Sequence, residues 1–210
     1  MKIDRLFNGL THTTKDGYVL DGDLISGETI EVDLDDRFVV KGRVESKERI
    51  IVRCGIKADY GIRAGDGIKA GWNIEAGWSI KAGWGIEAGC GIKAGCGIKA
   101  GDGIEAGWGI EAGCGIKAGC GIKAGCGIKA GDGIKAGWGI EAGWGIEAGD
   151  GIKAGSFIDV KKRIFVGISV YFGGEDCDKS IRCADFRSGE ICYGDLILTG
   201  GEDQIVKTSR

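Results

Sequence analysis

Apolar positions along this chain recur every six residues. From Ile56 to Ile152 each sixth residue is isoleucine, and an alanine stands two positions after each one, from Ala58 to Ala154. A lysine, arginine or glutamate separates the two every time. Apolar–charged–apolar alternation marks a short strand with one buried face. Successive strands are joined mostly by Gly-x-Gly, where x is Trp, Cys or Asp, so the unit is x-G-I-[K/E]-A-G. A helix is excluded, because two interior glycines per hexad would each cost about 1 kcal/mol. A flexible glycine-rich tract is excluded too, since it has no reason to hold isoleucine in register over a hundred residues.

The six-residue phase continues past the regular repeat. Backwards from Ile56 it meets Ile50, Val44, Phe38 and Val32, partnered by Val52, Ser46, Val40 and Leu34. Forwards from Ile152 it meets Ile158, Ile164 and Val170, partnered by Val160, Val166 and Phe172. Larger apolar residues in terminal units are the expected form of capping coils. The pattern predicts an all-β parallel solenoid over residues 30–172, an N-terminal cap over 1–29 and a C-terminal cap or dimerisation segment over 173–210. The last begins Gly173-Gly174-Glu175-Asp176 and carries Ile181, Cys183, Phe186, Ile191, Tyr193, Leu196, Ile197 and Leu198. Outward slots of the end units hold Val39, Ile51, Phe165 and Tyr171, where cap segments or a second subunit are expected to pack.

The variable position orients the unit. Asp66, Asp102, Asp132 and Asp150 occupy x, and burying unpaired carboxylates in a narrow core would cost several kcal/mol each. Ile and Ala are therefore assigned inward and x outward at corners. The flanking glycines are expected to supply positive φ there.

Charge then sets the coil. At a period of 18, one column reads Lys57, Glu75, Lys93, Glu111, Lys129, Glu147, in strict alternation. A second is wholly basic: Arg63, Lys81, Lys99, Lys117, Lys135, Lys153. The third, Lys69, Glu87, Glu105, Lys123, Glu141, is mixed. A period of 24 gives no such order, so three-sided coils of 18 residues are predicted. Roughly eight of them at about 4.8 Å make a rod of about 38 Å.

Composition narrows the function classes. The chain has 28 Lys+Arg against 31 Asp+Glu, and residues 54–155 hold 11 of each sign. That balance argues against a polyanion mimic and a general nucleic-acid binder. Nine cysteines, six of them at x (Cys54, Cys90, Cys96, Cys114, Cys120, Cys126), do not form a secreted disulfide framework. The start Met1-Lys2-Ile3-Asp4-Arg5 has charge where a signal peptide would need an apolar stretch, so none is expected, and no run approaches membrane-span length. A reducing cytoplasm is the expected location, with free thiols. Cys96 and Cys114, stacked at the coil period, are expected to oxidise first; Cys177, Cys183 and Cys192 are expected in the C-terminal core.

The six-residue spacing of Ile56 through Ile152 resembles the hexapeptide-repeat left-handed β-helix, with alanine after the aliphatic residue where that family usually sets its small residue before it. Val40-Lys41-Gly42-Arg43-Val44-Glu45 resembles the bactofilin type, which implies filament formation. The first resemblance implies acyltransferases that use a histidine base between subunits. Only His12 exists here, ahead of the solenoid, and a lone N-terminal histidine is more often a surface residue. No nucleotide-binding motif and no zinc spacing occur, so the reading is not an enzyme, with no metal and no cofactor.

The binding hints are two. All six tryptophans, Trp72, Trp78, Trp84, Trp108, Trp138 and Trp144, occupy x, and exposed tryptophan is enriched in binding hot spots. The basic column Arg63 to Lys153 repels itself unless an anion faces it. The expected function is a scaffold presenting corner tryptophans and charged faces to a protein partner, in one concrete form an inhibitor from a phage or mobile element. Nucleic acid ranks below a solvated lysine face, and a homodimer through the terminal segments is a further expectation.

Overall fold

The computed structural model describes residues 1–166 and 180–199, and the backbone of 204–207. Every regular element among them is a strand. The hexads form three-residue strands, Ile56–Ala58 through Ile152–Ala154, each with its outer two residues buried and its middle residue turned toward solvent. The repeat isoleucines are at most 1% exposed and the alanines at most 8%, in one continuous core. The chain is a parallel β-solenoid of about nine turns with an 18-residue coil. The register repeats without slip: Ile62 pairs with Ile80, Ile80 with Ile98, and so on to Ile152. Hydrogen bonds continue round the corners, for example Trp84 N to Asp66 O at 3.0 Å and Gly83 N to Ala64 O at 3.2 Å.

The glycines are needed for a different reason than the sequence suggests. Among the described residues positive φ occurs at Gly9, Gly17, Gly22, Gly189 and Gly194, none of them in the repeat. What binds the repeat glycines is the approach of neighbouring coils. A Cβ on Gly83, the glycine after alanine, would overlap the carbonyl oxygen of Gly65 and lie 3.0 Å from its carbon. A Cβ on Gly85, the glycine before isoleucine, would sit at ordinary contact, 3.5 Å from Gly103 O. The sequence respects this asymmetry: the second slot accepts Asn73 and Ser79, while the first is glycine at every coil from Gly65 to Gly155.

Both ends depart from the hexad phase. Ile30, not Val32, pairs with Ile50, and Val32 pairs with Val52. Two extra residues between Ile30 and Phe38 bury Leu34 and lengthen the first paired coil. Upstream, Gly17–Leu20 and Leu24–Ser26 are already rungs, paired with Phe38–Val40 and Val44–Ser46, so the ladder enters the segment read as a cap. The end is closed by Lys2–Ile3 along Ile30–Val32 and by Leu10–Thr13 as an antiparallel partner of Gly17–Leu20. Ser46 fills an alanine slot; its buried hydroxyl donates to Glu28 O at 2.8 Å and accepts from Glu48 N at 3.0 Å.

At the far end Ile158 and Ile164 keep the phase. The rung beyond Ile152 is supplied by Ile181; Val170, Tyr171, Phe172, Gly173 to Asp176 and Cys177 lie outside the described residues. Asp195–Leu198 follows as the next parallel rung and Gln204–Lys207 closes it antiparallel. Of the outward apolar residues, Val39 is buried, Phe165 half-buried and Ile51 exposed. Cys183 is buried and Cys192 only partly so.

Candidate binding face

The middle residue of each strand projects from one of three faces, and on two of them opposite charges pair between coils. On one, Lys93 meets Glu111 at 3.2 Å and Lys129 meets Glu147 at 3.0 Å. On another, Lys69 meets Glu87 at 2.9 Å and Lys123 meets Glu141 at 4.0 Å. These are exposed pairs, each worth about 0–1 kcal/mol. The third face has no such pairing. Arg63, Lys81, Lys99, Lys117, Lys135 and Lys153 stand in register on adjacent rungs, all exposed. Among the described residues none of the six has a carboxylate within 4.0 Å.

The structure lengthens this row by one. Arg182 pairs in register with Lys153 and continues the line as a seventh cation. Sequence stepping missed it because 29 positions, not 18, separate the two. Glu45 precedes Arg63 and Ile197 follows Arg182, so the row has defined ends.

A groove of about 830 Å³ runs beside the row, its floor made by the backbone of Gly97, Gly115, Gly133 and Gly151. Glycine before isoleucine keeps that floor low. Toward the N-terminal end Ser79 and Lys81 also line a second recess of about 600 Å³, shared with Arg43, Arg63, Tyr60 and Trp78 and with the acidic Asp23 and Glu45. Tyr60 and Trp78 meet edge to face there, ring centroids 5.8 Å apart.

The tryptophans all point outward. They are 60% to 71% exposed, so most of each side chain faces solvent. They fall on three corner columns. One alternates Cys54, Trp72, Cys90, Trp108, Cys126, Trp144, with each residue from Trp72 on donating its N–H to the carbonyl of the one before. A second reads Tyr60, Trp78, Cys96, Cys114, Asp132, Asp150 and rims the basic face. The third holds Trp84 and Trp138 on the opposite rim. The period of 18 that orders the charges also sets these columns in the sequence. Lys162 lies over Trp144 at 4.4 Å.

Cys114 N–H donates to Cys96 O at 3.1 Å, so the two thiols lie on consecutive coils. Loss of hydration, then Asp132 and Cys96, pushes the Cys114 thiol up. Burial pushes Cys54 and Cys183 up to about 11, as inert core thiols. His12, on the N-terminal hairpin, sits 3.5 Å from Asp36 and against the Tyr18 ring. No group of three metal-ligating side chains occurs, and no helix is long and apolar enough to cross a membrane, among the described residues.

Comparison with family models, curated proteins and solved structures finds no match to this chain.

Proposed function

We propose that the protein is a non-catalytic scaffold that holds an acidic macromolecular partner along its basic face, with the corner aromatic residues as grips. One observation carries this reading. The same repeat that pairs lysine with glutamate between coils on two faces leaves the third as six consecutive cations, and Arg182 adds a seventh. Like charges at about 4.8 Å destabilise the free rod slightly, and an external anion removes that penalty. An inhibitor that occludes its target's surface is one form such a scaffold takes. The alternative, a self-assembling filament of the bactofilin type, is less supported, because antiparallel strands close two of the terminal edges.

The test compares partner capture by the wild-type rod and by K81E/K99E/K117E/K135E. Every substituted side chain is exposed, so far-UV spectra should be unchanged. Retention of all partners by the reversed face would sink the reading. Open-ended growth in sedimentation with rising concentration would favour the filament.

A further inference from the structure

Resting on the acidic-partner reading, we infer that the partner is single-stranded nucleic acid, laid lengthwise in the groove beside the basic row. The row is single file, regular and open along its length, which suits a linear polymer with one charge per repeat. A folded acidic protein would present carboxylates at irregular spacing. Seven rungs at about 4.8 Å span about 29 Å, room for several nucleotides in line, within the roughly 4–16 nucleotides of single-strand sites.

Charge alone does not separate a nucleic acid from other linear polyanions; the aromatic residues do. Proteins that bind single strands without sequence preference combine a cationic groove with exposed rings on which bases stack. Here Tyr60 and Trp78 form an exposed pair in the recess that adjoins the groove beside Lys81. The backbone floor between rim and lysine row admits a phosphate chain without displacing side chains.

Acidic residues on the groove-side rim limit how tightly the site holds phosphate. The rim that borders the groove carries Tyr60, Trp78, Cys96 and Cys114 in its first four positions, and Asp132 and Asp150 only afterwards. Asp132 and Asp150 oppose a phosphate chain over Lys135 and Lys153 from the groove side, while Asp66 and Asp102 stand on the far rim and Glu45 lies beside Arg63. The protein's net charge of −3 makes binding local to this face and steeply dependent on salt.

The experiment is fluorescence anisotropy of a labelled twelve-residue oligothymidylate titrated with the full chain at several salt concentrations, beside inorganic polyphosphate and poly-glutamate as competitors. For single strands log K falls with log salt with a slope of about −0.7 per phosphate neutralised, so five to seven contacts give about −3.5 to −5. K81Q/K99Q/K117Q should flatten the slope by about 2. Y60A/W78A should weaken the oligonucleotide about tenfold, leave polyphosphate competition unchanged and leave the slope alone. D132N/D150N should tighten binding.

If the three polyanions bind alike and Y60A/W78A changes none of them, the nucleic-acid inference falls while an acidic partner stands. Binding of poly-glutamate alone has the same consequence. If no polyanion binds even at low salt, the basic-face reading falls as well.

Discussion

Two glycines two residues apart offer a sharp test of what holds the coils together. Gly101 follows Ala100 and Gly103 precedes Ile104, on the same corner. A Cβ at Gly101 would overlap the carbonyl oxygen of Gly83, stand 2.9 Å from its carbon and reach 3.7 Å from Trp84 N. All of these are backbone atoms, so no rotamer change relieves the overlap and the coils must part. Overpacking of that kind costs about 1–3 kcal/mol. Parting also strains the bonds Gly101 N to Ala82 O and Asp102 N to Trp84 O, at 3.2 and 3.1 Å, worth about 1 kcal/mol each. Gly101→Ala should therefore destabilise by about 3–5 kcal/mol, a fall in midpoint on the order of 10 °C. At Gly103 the nearest atom to a Cβ is Gly121 O at 3.6 Å and φ is not positive. Gly103→Ala should be neutral, or stabilising by about 0.5 kcal/mol through the unfolded chain. Urea unfolding followed by far-UV circular dichroism measures both. Equal destabilisation of the two variants would refute close approach as the constraint and point back to backbone conformation.

Other outcomes follow from the same geometry. A mild disulfide oxidant should remove two hydrogens from the Cys96 and Cys114 thiols first, since Cα atoms on stacked coils about 4.8 Å apart lie within disulfide range; peptide mapping that finds another first bond is the contrary result. Cys90 and Cys126, with Trp108 between them, should not pair. Asp35 is held below the usual carboxylate range by its own backbone N–H, then by the Tyr18 hydroxyl and Arg5, and Glu48 by the Thr29 hydroxyl and N–H. A lowered folded value gives stability that is present above the unfolded carboxylate range and lost as pH falls through the folded one. D35N/E48Q should therefore be less stable than wild type at neutral pH and lose less on acidification, and parallel pH profiles of melting midpoint would count against it. Ser46→Ala should cost about 1 kcal/mol by leaving the Glu28 carbonyl and the Glu48 N–H without their buried partner, read by the same urea titration.

The central coils were legible in the sequence because one rule governs them: a fixed period, a fixed inward pair and an outward charge. The ends were not, for identifiable reasons. Val32 and Leu34 are both apolar and both buried, so stepping back by six met suitable residues although two extra positions had shifted the frame. Ile181 and Arg182 take the rung beyond Ile152 and Lys153 at a separation of 29 residues, which no periodicity records. The role of the repeat glycines is not legible from residue type, which cannot separate a positive φ from a close approach; Asn73 and Ser79 in one slot are the clue the sequence carries. The candidate face was half visible, since six of its cations share a period but their lack of counter-charges is a fact of space.

The 18-residue coil also fixes how this chain can change length. Three hexads added or removed together return every downstream residue to its own side, so the rod grows or shrinks with its lysine row unbroken. A single hexad gained by slippage would be just as well packed, because isoleucine and alanine still face inward. It would nonetheless rotate everything beyond it by a third of a turn and splice the cations onto a glutamate-bearing side. Exposed charge pairs contribute so little to stability that, on the acidic-partner reading, the cost of such an error falls on binding rather than on folding.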